Sequence, residues 1–113
     1  MDKQKDLIWV GNSLDDLRKF SRQAMRQTGF ELRAVQKGLN PSDWKPMRTI
    51  GPDVREIRIH AENEYRTIYV ATFTDAVYVL HCFAKKSRNT PRSDIEIAKQ
   101  RLKEARRLRR KAR

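Results

Sequence analysis

Apolar residues in this chain cluster or alternate in four short stretches that are typical of β-strands. The first is Leu7–Val10, an apolar run that ends at a Gly-Asn pair. The other three follow one another along the chain: Val54–Ile59, Glu64–Val70 and Val77–Ser87. The last stretch is apolar on both faces before it ends in a basic cluster, which predicts a central strand.

Other stretches carry apolar residues at helical spacing. They predict a helix over about 14–27, N-capped by Ser13, and a second helix that starts from a capping box at Thr28–Glu31 and stops near Gly38. A further capping box, Ser93–Glu96, predicts a C-terminal helix with one apolar stripe and basic residues elsewhere on its surface.

The elements follow the order β-α-α-β-β-β-α, which predicts a single α+β domain over residues 1–113. The sheet is expected to be mostly antiparallel. The N-terminal helices are predicted to form an α-hairpin over it, and the basic C-terminal helix to pack by its apolar stripe. Residues 40–53 contain three of the four prolines and are predicted to be loop, anchored to the core by Trp44 and Met47.

Positive charge is concentrated at one end of the chain, which carries a formal net charge of +12. Half of the 26 lysines and arginines, but only three of the 14 acidic residues, lie from Lys85 to Arg113. A polyanionic partner is therefore expected there. The candidate RNA-binding residues in this part are Arg88, Arg92, Lys99, Arg106 and Arg107. A basic tail that is merely solvated is the alternative interpretation.

Several other kinds of site are not expected. Cys82 is the only cysteine, so the sequence predicts no internal disulfide, and its apolar strand favours a packed thiol. His60 and His81 are far apart and the glycines are scattered, so neither a metal site nor a cofactor site is predicted. No apolar run has the length of a membrane span, and residues 1–8 are too charged for a signal peptide, so a cytoplasmic protein with no membrane partner is expected.

Cations on the three consecutive strands form the candidate catalytic site. Side chains alternate across a strand, so Arg58 shares a face with His60, while Arg55 lies on the other face and is a further RNA-binding candidate. Arg66 on the next strand and Lys85-Lys86 at the end of the last strand are expected to join Arg58 in one concave patch.

A patch of this kind suits cleavage of RNA without metal. The 2′-hydroxyl attacks its own phosphorus, and fixed guanidinium and ammonium groups stabilise the negative charge that develops. His60 is a candidate for proton transfer, whereas His81, in an apolar strand, favours a core role. Ordinary salt bridges, such as Arg58 with Glu56 or Arg66 with Glu64, are the alternative.

The same residues resemble a known family. The stretch Lys45–Ile59 with its Val-Arg-Glu-Ile-Arg-Ile strand, then Glu64–Val70, then Val79–Ser87 followed by Thr90-Pro91, is similar to the phage-derived, HigB-like branch of the RelE/ParE toxin superfamily. The resemblance covers nearly the whole chain and includes the order of its elements.

The resemblance implies a RelE-like toxin of a type II toxin–antitoxin system, an endoribonuclease that cleaves mRNA on the ribosome without metal. Its expected partners are mRNA, the ribosome and a cognate antitoxin, of the helix-turn-helix type. Arg58, Arg66 and Lys85-Lys86 match basic positions that act on the scissile phosphate. The chain departs from the family at two points: no aromatic residue follows Lys86, and Glu56 replaces a lysine. His60 or His81 are candidates to supply the missing acid or base.

Two other functions remain open at this stage. The ParE branch has the same fold and acts on DNA gyrase, which requires no cationic groove. A non-catalytic RNA-binding module would bind in a salt-dependent way and cut nothing.

Overall fold

The computed structural model describes residues 4–111 of the chain. Along the chain the elements are β1 (Asp6–Trp9), α1 (Ser13–Arg18), α2 (Arg22–Gln36), β2 (Trp44–Pro46), β3 (Val54–His60), β4 (Glu64–Val70), β5 (Ala76–Ala84) and α3 (Arg92–Lys111). The α+β class and the predicted order of elements are confirmed. One short strand, β2, is added inside the segment that the sequence predicts to be loop.

The strands form one five-stranded sheet in the order β1-β5-β4-β3-β2, in which only the β1–β5 pair is parallel. Strand β5 lies between β1 and β4, so its predicted central position is confirmed. Strand β2 lies at the sheet edge, where a proline such as Pro46 is tolerated because its missing backbone N–H can face the side that has no neighbouring strand.

Each face of the sheet carries its own apolar core. On one face, Ala98 and Leu102 of α3 pack in a cluster with Ile68 and Leu80, and Met47 belongs to this cluster, as expected for an anchor. On the other face, α1 and α2 cover a second cluster that includes Leu17, Leu32, Ile57 and Val79. Burial on both sides explains the continuous apolar sequence of β5.

The N-terminal helices meet at a different place from the one predicted. Helix α1 ends at Arg18, and α2 begins at Arg22 after Ser21, whose Oγ accepts a hydrogen bond from the Ala24 N–H at 3.1 Å. The break turns Phe20 into the core, where its ring lies 4.5 Å from that of Tyr65. The predicted joint at Thr28 is therefore wrong: the helices meet near residues 19–21, because Ser21 caps α2 and Phe20 is buried there.

Thr28 and Glu31 both lie inside α2. The Thr28 hydroxyl donates to the Ala24 carbonyl at 2.8 Å, and the Glu31 carboxylate accepts from the N–H and hydroxyl of Ser42 at 2.6 and 2.8 Å. The N-cap predicted at Ser13 and the capping box predicted at Ser93 are also wrong, because α1 has Asn12 as its N-cap and α3 begins at Arg92. The predicted stop near Gly38 is confirmed: α2 ends at Gln36, and Gly38 adopts φ +86°.

Within residues 4–111, no helix has both the length and the apolar composition needed to cross a membrane.

Candidate active site

Cations from β2, β3 and β4 converge on one buried carboxylate, that of Glu56 in the middle of β3. Glu56 is fully buried, and its Oε1 lies 3.9 Å from Lys45 Nζ, 4.0 Å from Arg58 Nε and 3.6 Å from Arg66 Nε. The ladders explain this arrangement, since Lys45 is paired with Glu56 and Arg66 with Arg58. These residues and Lys85 are called the cation cluster below: Lys45, Glu56, Arg58, Arg66 and Lys85.

Lys85 enters the cluster from the end of β5. Its backbone N–H donates to the Glu64 carbonyl at 2.8 Å. Alternation along the strand places the Lys85 side chain on the same face as that of Phe83, and Phe83 is paired with Arg66 in the β4–β5 ladder. Desolvation lowers the pKa of Lys85, and the neighbouring Arg66 lowers it further, whereas Glu56 opposes the shift. In the described part of the chain, Lys85 forms no salt bridge.

Charge rather than hydrogen bonding holds the centre of the cluster. Both oxygens of Glu56 and the Nε atoms of Arg58 and Arg66 are buried without a hydrogen-bond partner. Arg66 is fixed by other contacts, since its Nη1 donates to the Glu64 carboxylate at 3.0 Å and to the Tyr65 carbonyl at 2.9 Å. The salt bridges that the sequence offered as an alternative, Arg58–Glu56 and Arg66–Glu64, are both present, and they lie within the convergent patch.

His60 stands at the edge of this site, between two carboxylates. Its Nδ1 lies 2.7 Å from Glu64 Oε2, and its Nε2 lies 2.6 Å from Asp43 Oδ2. The hydrogen bond to Asp43, followed by the one to Glu64, raises the pKa of His60. Two carboxylate partners favour the imidazolium, which donates from both nitrogens and has no lone pair to accept a proton. The geometry therefore does not present His60 as a free general base.

This bridge predicts a pH-dependent contribution to stability. Because the pKa of His60 is higher in the folded protein than in the unfolded chain, its contribution is complete below about pH 6.5 and is lost as the pH rises through the raised value. We expect His60→Gln to have a lower melting temperature than the wild type at about pH 6 and an equal one at about pH 9. A melting temperature that is lowered by the same amount at both pH values would show that the charge of His60 contributes nothing to stability.

Two of the predicted strand-borne cations lie outside the cluster. Arg55 is on the opposite face of β3 from Arg58, as alternation predicts; its Nη1 donates to Asn40 Oδ1 at 2.9 Å, and its guanidinium lies 4.2 Å from the centre of the Trp44 ring. Lys86 follows β5 and is exposed.

The other RNA-binding candidates lie on α3 and the loop before it. Arg88 and Arg106 are exposed, and Arg92 is the first residue of α3. Lys99 and Arg107 are paired with acidic residues one turn away on the same helix, at 4.0 Å and 2.5 Å. These five residues thus lie on α3 and the loop before it, outside the cation cluster, and their contact with RNA remains a prediction.

His81 is a satisfied core histidine, as the sequence favoured. Its Nε2 lies 2.7 Å from Asp94 Oδ1 of α3, and its Nδ1 lies 3.4 Å from Asp16 Oδ2 of α1. Arg101 completes this buried network, since its Nη1 donates to Asp16 Oδ2 and to the Leu80 carbonyl, both at 3.0 Å. The network ties α1 and α3 to β5.

Cys82 is also a core residue. Burial raises the pKa of its thiol to about 12, so it is a packed thiol rather than a nucleophile at neutral pH. Among residues 4–111, no group of three or more His, Cys, Asp or Glu side chains is arranged to hold a metal ion.

Sequence reasoning missed Lys45 and the central position of Glu56. Lys45 stands in a three-residue strand that ends in a proline, and such a strand is too short for an alternating pattern to reveal. Glu56 carried a signal, because alternation along β3 places it on the same face as Val54, and both residues are buried.

The fold agrees with a comparison to known families. Residues 15–103 match the family described as Phage derived protein Gp49-like (DUF891). The chain belongs to this Gp49-like family. The family consists of RelE-like toxins of toxin–antitoxin systems, so an antitoxin partner is implied. The matched region contains the whole cation cluster. No curated protein matches the chain.

Proposed function

We propose that this Gp49-like protein is a toxin of the HigB-like branch that cleaves mRNA on the ribosome at the cation cluster, without a metal ion, in the cytoplasm. One observation supports the proposal: three cations lie within 4.0 Å of a single buried carboxylate, and a fourth, Lys85, lies near them and forms no salt bridge within residues 4–111. The cluster keeps excess positive charge, which is what a scissile phosphate requires.

The proposed reaction is attack of the 2′-oxygen on the adjacent phosphorus. The 2′-hydroxyl gives up its proton to solvent water as the bond from the 2′-oxygen to phosphorus forms. The bond from phosphorus to the 5′-oxygen breaks, and the products are a 2′,3′-cyclic phosphate and a 5′-hydroxyl. Arg58 and Arg66 would stabilise the charge on the non-bridging oxygens. Lys85 would donate a proton to the leaving 5′-oxygen, a role that its lowered pKa favours.

Glu56 has a positioning role in this proposal. A fully buried carboxylate is no contact for the substrate, yet it holds two arginines and a lysine on one face of the sheet. Without it, three like charges would repel one another. The basic surface of α3 would contact ribosomal RNA, which is where the charge of the chain is concentrated.

Lys85→Ala tests the proposal. Lys85 forms no salt bridge in the described residues, so its removal should leave the free energy of unfolding unchanged while lowering cleavage by about 100-fold or more. The measurement is the fragmentation of mRNA in a translating extract, with and without ribosomes, together with growth arrest on induction. Arg18→Ala, an exposed cation on α1, is the matched control and should cleave like the wild type.

Two outcomes would contradict the proposal. Equal cleavage by Lys85→Ala and wild type would remove the reaction from the cation cluster. Intact transcripts with gyrase-linked DNA breaks would instead support the ParE-type activity.

A further inference from the structure

A small pocket lies near the C-terminal end of α3, where three arginines surround the ring of Phe73. Its volume is about 290 Å³, and its walls are Phe73, from the connection between β4 and β5, and Arg106, Arg109 and Arg110 of α3. We call it the Phe73 pocket. The cation cluster lies elsewhere, because Arg66 stands near the start of β4 whereas Phe73 follows the end of that strand. A ligand of this pocket is therefore independent of any phosphate at the cation cluster.

The arginine nearest to the ring is held in place by its neighbours. The Arg109 guanidinium lies 4.1 Å from the centre of the Phe73 ring, and its Nε donates to Asp75 Oδ1 at 3.3 Å. Asp75 also accepts from the Tyr78 hydroxyl at 2.9 Å, and the Tyr78 and Phe73 rings meet edge to face with centroids 5.3 Å apart. The Arg109 side chain remains 25% exposed. The flat guanidinium and the flat ring thus form a stack whose orientation is fixed before a ligand arrives.

The other two arginines leave the pocket with excess positive charge. Positions 106, 109 and 110 are three and four residues apart, so their side chains share one face of the helix. Within residues 4–111, Asp75 pairs with Arg109, and neither Arg106 nor Arg110 forms a salt bridge. Like charges at this spacing repel one another and weaken a helix. The helix dipole favours basic residues on any face of the last turn, so it does not explain why three arginines gather round one aromatic ring.

We propose that the Phe73 pocket binds an unpaired RNA base, stacked against Phe73 and Arg109, while Arg106 and Arg110 bind the phosphates on either side of it. Unpaired bases are recognised by stacking on aromatic rings and guanidinium planes, and the forked guanidinium group matches the oxygens of a phosphate. An acidic protein segment would need the charge but not the flat stack, so the stack favours RNA. The assignment rests on the RNA-binding part of the proposed function and not on cleavage.

The probe is a fluorescent RNA hairpin with one bulged adenosine, in which every ribose is 2′-O-methylated so that no 2′-hydroxyl can attack. Fluorescence anisotropy measures its affinity for the full-length protein. Phe73→Leu should weaken binding by about 10-fold, which is within the range for one base stacked on an aromatic ring. A hairpin whose bulge is abasic should bind the wild type more weakly by a similar factor. It should bind Phe73→Leu little more weakly than the intact hairpin does, because both changes remove the same contact.

Variants of the arginines separate stacking from charge. Arg109→Lys keeps the charge and removes the flat guanidinium, so it should lose part of the preference for the intact bulge without changing the salt dependence. Arg106→Ala combined with Arg110→Ala should do the reverse. It should keep the preference and flatten the slope of log affinity against log salt by about 1.5, since each phosphate contact contributes about 0.7 to 0.9.

Phe30→Leu is the matched control, since Phe30 is an exposed phenyl ring, at 67%, on α2, which covers the other face of the sheet. It should bind both hairpins as the wild type does.

The opposing results are equally specific. If Phe73→Leu and Arg109→Lys are less stable but bind both hairpins with wild-type affinity, the stack only holds α3 to the sheet and the proposal is wrong. If the wild type binds the intact and abasic hairpins equally, the pocket takes phosphate alone and the base assignment is wrong. If the wild type binds neither hairpin, the assignment is wrong as well, whereas the cleavage proposal is decided separately by Lys85→Ala in the translating extract.

Discussion

Glu56→Gln is expected to lower the free energy of unfolding by about 3 kcal/mol, although the two side chains have nearly the same shape. The substitution removes the only carboxylate that Lys45 and Arg58 face and one of two that Arg66 faces, within residues 4–111. Three cations then lie close together with their charge uncompensated. Lys45 and Arg58 can turn part of the way towards water, which keeps the loss at the lower end of the range for a broken buried ion pair.

Urea unfolding measures this loss, and sulfate provides the sharper readout. An anion that binds only the folded state stabilises it by mass action, and the uncompensated cluster should bind sulfate more tightly than the wild-type cluster. Sulfate should therefore raise the stability of Glu56→Gln more than that of the wild type, whereas the same ionic strength supplied as sodium chloride should not. A stability equal to that of the wild type, with no specific sulfate effect, would mean that Glu56 does not organise the cations.

The sequence was sufficient to predict that cations from β3, β4 and the end of β5 lie together. Alternation along β3 separates Arg55 from Arg58, and the structure places these residues on opposite faces. The pairing of Arg58 with Arg66 follows from an antiparallel ladder between consecutive strands, which is the commonest connection. These features depend on local periodicity, and local periodicity is visible in one chain.

Features that depend on a distant partner were not predictable in the same way. Lys45 reaches the cluster only because β2 pairs with β3, and a three-residue strand carries too little pattern to reveal that pairing. Thr28 and Glu31 have the residue types of a capping box, yet Ser42, eleven positions further on, is the group that Glu31 binds. Similarly, the break between α1 and α2 is set by the contact of Phe20 with Tyr65 across the core.

The cluster contains a carboxylate where the family resemblance leads us to expect a cation, and that carboxylate is fully buried; both features have one physical explanation. A cation patch built only for binding would repel itself and destabilise the sheet that carries it. In this chain, a carboxylate takes the place of a strand cation expected from the resemblance to the family, and it lies fully buried beneath the remaining cations. Glu56 neutralises part of the patch without reaching the surface, so the outward side remains positive.

Arg66→Ala is expected to have the largest combined effect of any single substitution in the cluster. Arg66 is 6% exposed and lies closest to Glu56, so its removal leaves a buried carboxylate with its nearest counter-charge missing, which costs about 3–5 kcal/mol. Cleavage should fall by about 100- to 1,000-fold, since one preformed donor to the reacting phosphate is lost. Urea unfolding and single-turnover cleavage below the melting temperature measure the two effects separately.

Combining Arg66→Ala with Glu56→Gln separates folding from catalysis. The double variant no longer holds an unpaired buried charge, so it should be more stable than Arg66→Ala, because the two losses of stability are not additive for residues in contact. Its cleavage should stay as low as that of Arg66→Ala, since the phosphate donor is still absent. Recovery of both properties together would show that Arg66 acts only by stabilising the fold, and the cluster would then have no catalytic arginine at this position.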